Sequence, residues 1–199
     1  MRLALLSGFA VLAAIAATSI SPASAQTTGG IVITHGGGNV NVAKGAFSAA
    51  DQSATTLGGI AGGHGVAITN GGNNRNIASG ALSFAGQDTT TIGGSAFGRG
   101  RVITNGGNNT NLAKGFGSSA TQSTLTLGGT AFGHGKSVTN GGLNTNLAAG
   151  AFSSADQQVA TIGGTAGRHG LNVTAGGLNK NAAIGFGSSA SQQVFTGAQ

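Results

Sequence analysis

The chain has no cysteine, tryptophan, tyrosine or glutamate. Its one proline, Pro22, and its one methionine, Met1, both fall in the first 25 of 199 residues. Each absence excludes something. Without cysteine there is no disulfide scaffold and no thiolate for a metal. The three carboxylates, Asp51, Asp88 and Asp156, are far apart in sequence, so no acid/base pair is expected from them. No aromatic side chains are interleaved with the cations, which argues against sequence-specific nucleic-acid binding. The apolar run Leu3–Ala17 is too short and too interrupted for a span of ~20 residues, so no membrane anchor is expected. Catalysis, cofactors and a metal centre are likewise not expected; two histidines at adjacent copies, His134 and His169, lack further ligands at metal-binding spacing.

What is present begins with a leader. Arg2 precedes the apolar run, a polar stretch with Pro22 follows, and Ala23-Ser24-Ala25 forms a small-x-small site. This pattern reads as a secretory signal peptide over 1–25, cut before Gln26; the pattern implies export, and the expected location is extracellular or at the cell surface. The remainder carries eight cations against three carboxylates. Glycine makes up 40 of the 199 residues, which makes long helices implausible, because each interior glycine costs ~1 kcal/mol against alanine.

The remainder is a repeat. Five copies start at Gly30, Gly65, Gly100, Gly135 and Gly170, always 35 residues apart, giving 30–64, 65–99, 100–134, 135–169 and 170–199 as one repeat domain, 26–199. An unbroken period of this length means stacked identical units. Within a copy the constant positions alternate. In the third copy they are Asn109, Asn111, Ala113 and Gly115, then Ser118, Ala120, Gln122 and Thr126, with variable residues such as Thr110, Lys114, Thr121 and Ser123 between them. Period two marks strands with one specified face. The parity changes between Gly115 and Ser118, so a corner is expected there. The expected unit is strand 101–104, turn at Gly106-Gly107, strand 108–114, corner, strand 118–127, turn at Gly128-Gly129 and a short link 130–134.

The fold class expected is all-β: a parallel β-solenoid of five 35-residue repeats that stack end to end into cross-β fibres. One rung per 35 residues is preferred to two shorter rungs, because the glycine pairs divide the copy unevenly. At ~4.8 Å per rung every column becomes a ladder. The structural ladders expected are Asn39, Asn74, Asn109, Asn144 and Asn179; Asn41, Asn76, Asn111, Asn146 and Asn181; Ser48, Ser83, Ser118, Ser153 and Ser188; and Gln52, Gln87, Gln122, Gln157 and Gln192. Stacked amides can donate to one neighbour and accept from the other, which satisfies groups that are costly to bury. Small Ala, Ser and Gly let two faces close together. Leu57, Ile92, Leu127 and Ile162, with Val42, Ile77, Leu112 and Leu147, are expected to supply the apolar share, and the phenylalanines to pack near the corner and link. His64, Arg99, His134 and His169 share one phase and form a candidate polyanion strip.

The terminal copies keep the ladder residues, so both ends are expected to expose matching strand edges, a template for end-to-end stacking with a second copy. The repeat resembles that of the curlins, the subunits of bacterial curli amyloid fibres, in Gly-Gly-x-Asn-x-Asn-x-Ala (Gly106 to Ala113) and Ser-x-Ala-x-Gln (Ser118 to Gln122) across all five copies. It departs from them in its longer unit, its single glutamine position and its lack of aromatics other than Phe. The resemblance implies a homopolymer exported through an outer-membrane pore, started by a nucleator and contributing to biofilm matrix and adhesion. The alternative is a monomeric secreted solenoid that binds a regular surface such as ice or polysaccharide. Thr89–Thr91 and Thr124–Thr126 would suit it, although Ala54, Val159 and Val194 interrupt that array.

Overall fold

The computed structural model describes residues 12–21 and 26–198. Among the described residues there is no helix, and all strand pairing is parallel. The chain climbs as a β-solenoid of about five turns, and from copy to copy each paired residue lies 35 positions from its partner: Ile103 sits on Ile68 and under Val138, and Gln122 on Gln87 and under Gln157; ahead of the first copy, Gln26–Thr28 pairs with Ile60–Gly62 at an offset of 34. In chain order, four sheets are built per rung. In the third copy, sheet I contributes Arg101–Asn105, sheet II Asn108–Lys114, sheet III Ser119–Leu127 and sheet IV Thr130–Ala131. These bounds match the expected strands closely, except that the link itself contains the short strand of sheet IV.

Contacts across the interior show how the rung is folded. Asn111 Nδ2 donates to the carbonyl of Thr121, ten residues on, and Asn41 Nδ2 to that of Asp51. Gly36 faces Thr56, and Ala61 packs in one cluster with Val32. Residues equidistant from position 46 are therefore opposite one another. Each rung is a flattened loop with two walls: a front wall of sheets I and II and a back wall of sheets III and IV. The chain reverses at 45–46 and again at 63–65, and at the equivalent places in later copies.

This corrects the expectation for the glycine pairs. Gly106-Gly107 and Gly128-Gly129 do not reverse the chain; they are kinks within the front and the back wall. At the first, Gly107 holds φ +77, where a side chain is strained. At the second no positive φ occurs. Glycine is required there by close approach, since a Cβ on Gly128 would overlap Gly164 N and Thr139 Oγ1. The reversal lies at the parity change, with Gly115 at φ +149 and Gly117 at φ +69.

The interior is thin and mostly polar. Ala43, Ala78, Ala113 and Ala148 on the front wall meet Ala50, Ala85, Ala120 and Ala155 on the back wall, all fully buried. A smaller apolar cluster near sheet IV holds Val32, Val102 and four alanines. The Leu/Ile columns are corrected too. Val42 and Ile33 are exposed, Leu112, Leu127 and their column mates are only half-buried, and both columns lie on the outer surface. Alternation decides this: Asn111 and Ala113 point in, so Leu112 between them points out. The phenylalanines of the corner and link also lie outside, stacked along their columns. Phe97 and Phe132 are parallel at 4.9 Å, and Phe152 meets Phe116 and Phe186 edge-on at 5.5 and 5.8 Å.

Of the segment read as a leader, 1–11 and 22–25 lie outside the described residues. Leu12–Ser21 forms a strand of sheet III beneath Phe47–Leu57, again offset by 35 residues.

Candidate functional site

The repeated chemistry of this chain is its stacked amides. An amide offers two N–H donors and an oxygen with two lone pairs, so a column of them can form a continuous chain. Asn39 Nδ2 donates to Asn74 Oδ1 at 2.8 Å, Asn74 to Asn109 at 2.9 Å, Asn109 to Asn144 at 2.8 Å and Asn144 to Asn179 at 2.8 Å. The next column does more. Asn111 Nδ2 reaches Asn146 Oδ1 in the rung above at 3.0 Å, and two back-wall carbonyls, Ala85 O at 2.8 Å and Thr121 O at 2.5 Å. Asn76, Asn146 and Asn181 repeat the cross-wall pair of bonds. This asparagine ties the two walls together as well as the rungs.

The serine column acts locally at the reversal. Ser83 Oγ donates to Lys114 O at 2.7 Å, Ser118 Oγ to Ala149 O at 3.2 Å, and Ser153 Oγ to Gly150 O. Ser153 and Ser188 hydroxyls lie 3.3 Å apart. Ser48 is buried and its hydroxyl carries no bond. The glutamine column is bonded only in part. Gln192 donates to Gln157 and Gln157 to Gln122, both at 3.0 Å, whereas the buried amides of Gln52 and Gln87 have no partner.

One ladder escaped the sequence reading. His35, Asn70, Asn105 and Asn140 stack on the outer face of sheet I. Asn140 donates to Asn105 at 2.9 Å, Asn105 to Asn70 at 2.7 Å, and Asn70 Nδ2 lies 3.1 Å from His35 Nδ1. Its signal was three asparagines in successive copies, masked by His35 and Ala175 at the ends.

His64, Arg99, His134 and His169 all lie exposed at the reversal that closes each rung, on one edge of the solenoid. The rings of His134 and His169 stack at 5.4 Å with 11° between planes. Arg101 and Lys136, one above the other on sheet I, flank this edge. Among the described residues no group of three metal-ligating side chains converges. The threonines considered for surface binding do not reach the surface: Thr89, Thr91, Thr124 and Thr126 are buried between the walls.

The charged side chains are sorted by wall. Asp51, Asp88 and Asp156 all project outward from sheet III. Lys44, Arg75, Arg101, Lys114, Lys136 and Lys180 project from the front wall, and Arg99 and Arg168 from the edge reversal. Among the described residues no Lys or Arg lies on the back wall and no carboxylate on the front.

Comparison with protein-family models, with curated proteins and with solved structures gave no match. The fold and the column chemistry therefore stand on this chain alone.

Proposed function

We propose that this chain is a secreted, self-assembling structural subunit of curli-like extracellular fibres, contributing to biofilm matrix and adhesion. The observation that carries this is the invariance of the rung. From copy to copy the rung junctions use the same 35-residue parallel register, and the amide column from Asn39 to Asn179 runs through all of them. Among the described residues, the strands Leu171–Ala175, Leu178–Ile184 and Ser189–Gly197 are the last of their sheets. Their upper edges offer the backbone groups that the rung below uses for pairing, and Asn179, Asn181 and Gln192 stand ready to continue the columns. A second copy set on top with Asn39, Asn41 and Gln52 above them would extend every ladder. At the other end, Phe47–Leu57 already takes Leu12–Ser21 in the same register, so that edge is competent to receive a parallel strand. Removal of the leader would leave it open to the next copy.

The partner in this reading is the chain itself, delivered through an outer-membrane pore and started by a nucleator. The edge column His64, Arg99, His134 and His169 stays on the outside of such a fibre, where it would meet extracellular polyanions. The test is refolding of the chain from Gln26 out of denaturant. A lag in thioflavin fluorescence, its removal by seeds and a meridional reflection near ~4.7 Å are expected. A soluble β-rich monomer that persists for days at the same concentration would overturn the proposal.

A further inference from the structure

The sorting of charge has a geometric counterpart. The front-wall column at position 40 holds Val40, Arg75, Thr110, Thr145 and Lys180. The back-wall columns at 51 and 53 hold Asp51 and Asp156, and Asp88. These columns lie back to back across the interior. Asn76, next to Arg75, donates to the carbonyl of Gly86, which stacks directly on Asp51. Asn146 donates to the carbonyl of Asp156 itself. A second solenoid moved straight out along the wall normal therefore lays its acidic columns over the basic column of the first. The heights agree as well. Arg75 and Asp88 both belong to the second copy, with Asp51 one rung below; Lys180 belongs to the fifth and Asp156 to the fourth.

We infer that the back wall of one solenoid docks on the front wall of a second copy, Arg75 meeting Asp51 and Asp88, and Lys180 meeting Asp156. Charge complementarity names the occupant. Among the described residues, Arg75, Lys180 and the three carboxylates have no ion-pair partner within the chain. Asp156 accepts only a hydroxyl bond from Ser154 at 3.3 Å. Half-buried apolar columns accompany the charges on both walls: Ile77, Leu112 and Leu147 on the front, Ile92, Leu127 and Ile162 on the back. The contact uses different surfaces on its two sides, so it does not close and generates layers. Exposed ion pairs are individually weak. Two stacked fibres share one axial period, however, so the same pairs recur in register along their whole length. This inference rests on the fibre reading for its repetition, but the wall contact itself does not require a fibre.

The experiment uses three variants of the chain from Gln26: R75E/K180E, D51K/D88K/D156K, and all five changes together. Fibres are grown at low salt, elongation is followed by thioflavin, and fibres per bundle are counted by electron microscopy. Each partial variant should elongate like the parent but show about tenfold fewer bundled fibres, as expected for the loss of a few exposed pairs per subunit. Bundling should return in the five-site swap and in a mixture of the two partial variants. It should also dissolve in the parent at 1 M salt, where the screening length falls to about 3 Å. R99E/R168E changes the charge of the edge and should bundle normally. Bundling that survives in both partial variants, or that R99E/R168E abolishes equally, overturns the inference and assigns association to net charge or to a bridging polyanion. If no fibres form at all, the fibre proposal fails and wall docking is read from sedimentation of the soluble solenoid. Concentration-dependent association lost in each partial variant supports it; a monomer at every concentration overturns it.

Discussion

Asn111 and Leu112 are neighbours on one strand and invert the usual order of burial. The amide is fully buried and the leucine faces outward. The same contrast holds between the interior and the outer surface throughout. Inside, Asn, Ala, Ser, Gln and Thr recur almost unchanged from copy to copy; outside, position 40 runs Val, Arg, Thr, Thr, Lys. The buried amide of Asn111 bonds its own kind above and below and two carbonyls across the gap. A rung that departed from the column would leave several polar groups unpaired in a dry interior. An outward residue meets solvent on one side and tolerates substitution. The lesson is that hydrogen-bond periodicity, more than apolar volume, defines this core.

The largest break in that contrast is expected from Gly107→Val. It places a β-branched residue at φ +77 and drives its Cβ into the backbone of Gly71 and Gly72. A loss above about 3 kcal/mol, read as failure to acquire β-type circular dichroism, is expected. Next is Asn111→Leu. It removes four bonds, taking this donor from Ala85 O, Thr121 O and Asn146 Oδ1 and this acceptor from Asn76 Nδ2. About 2–4 kcal/mol should be lost in urea titration, although the change adds apolar surface. Ala120→Val follows. Ala120 is fully buried against the opposite alanine column, and the two extra methyl groups should cost about 1–3 kcal/mol by forcing the walls apart. Smallest is Leu112→Asn, the mirror of the second change, which should cost about 1 kcal/mol or less by the same titration. A larger loss for Leu112→Asn than for Asn111→Leu would reverse the account of the core.

Much of this was legible in sequence because constancy and period two coincide. Asn109, Asn111, Ala113, Ser118, Ala120 and Gln122 were assigned to one face, and all point inward. Strand limits followed from the same alternation, and the 35-residue rung from the uneven spacing of the glycine pairs. Three features were not legible. The glycine pairs look like turns, but Gly128 is there because Thr139 and Gly164 approach it, a contact between different rungs. The Leu/Ile columns look like a core, but walls separated by facing alanines leave no room for a leucine. The opposition of Arg75 to Asp51 and Asp88 depends on where the chain reverses, which no local pattern states.

The most direct test of the central claim places isotopes on the two ends of the column. Fibres are grown from a mixture in which some copies carry labelled asparagine only at Asn181 and others only at Asn41. Solid-state NMR should show side-chain transfer between Asn181 and Asn41 as strong as that between Asn146 and Asn181 within one copy, whose amides lie 3.0 Å apart. Absence of that contact in ordered fibres, or its replacement by contact between Asn181 residues of different copies, would contradict end-to-end continuation of the solenoid.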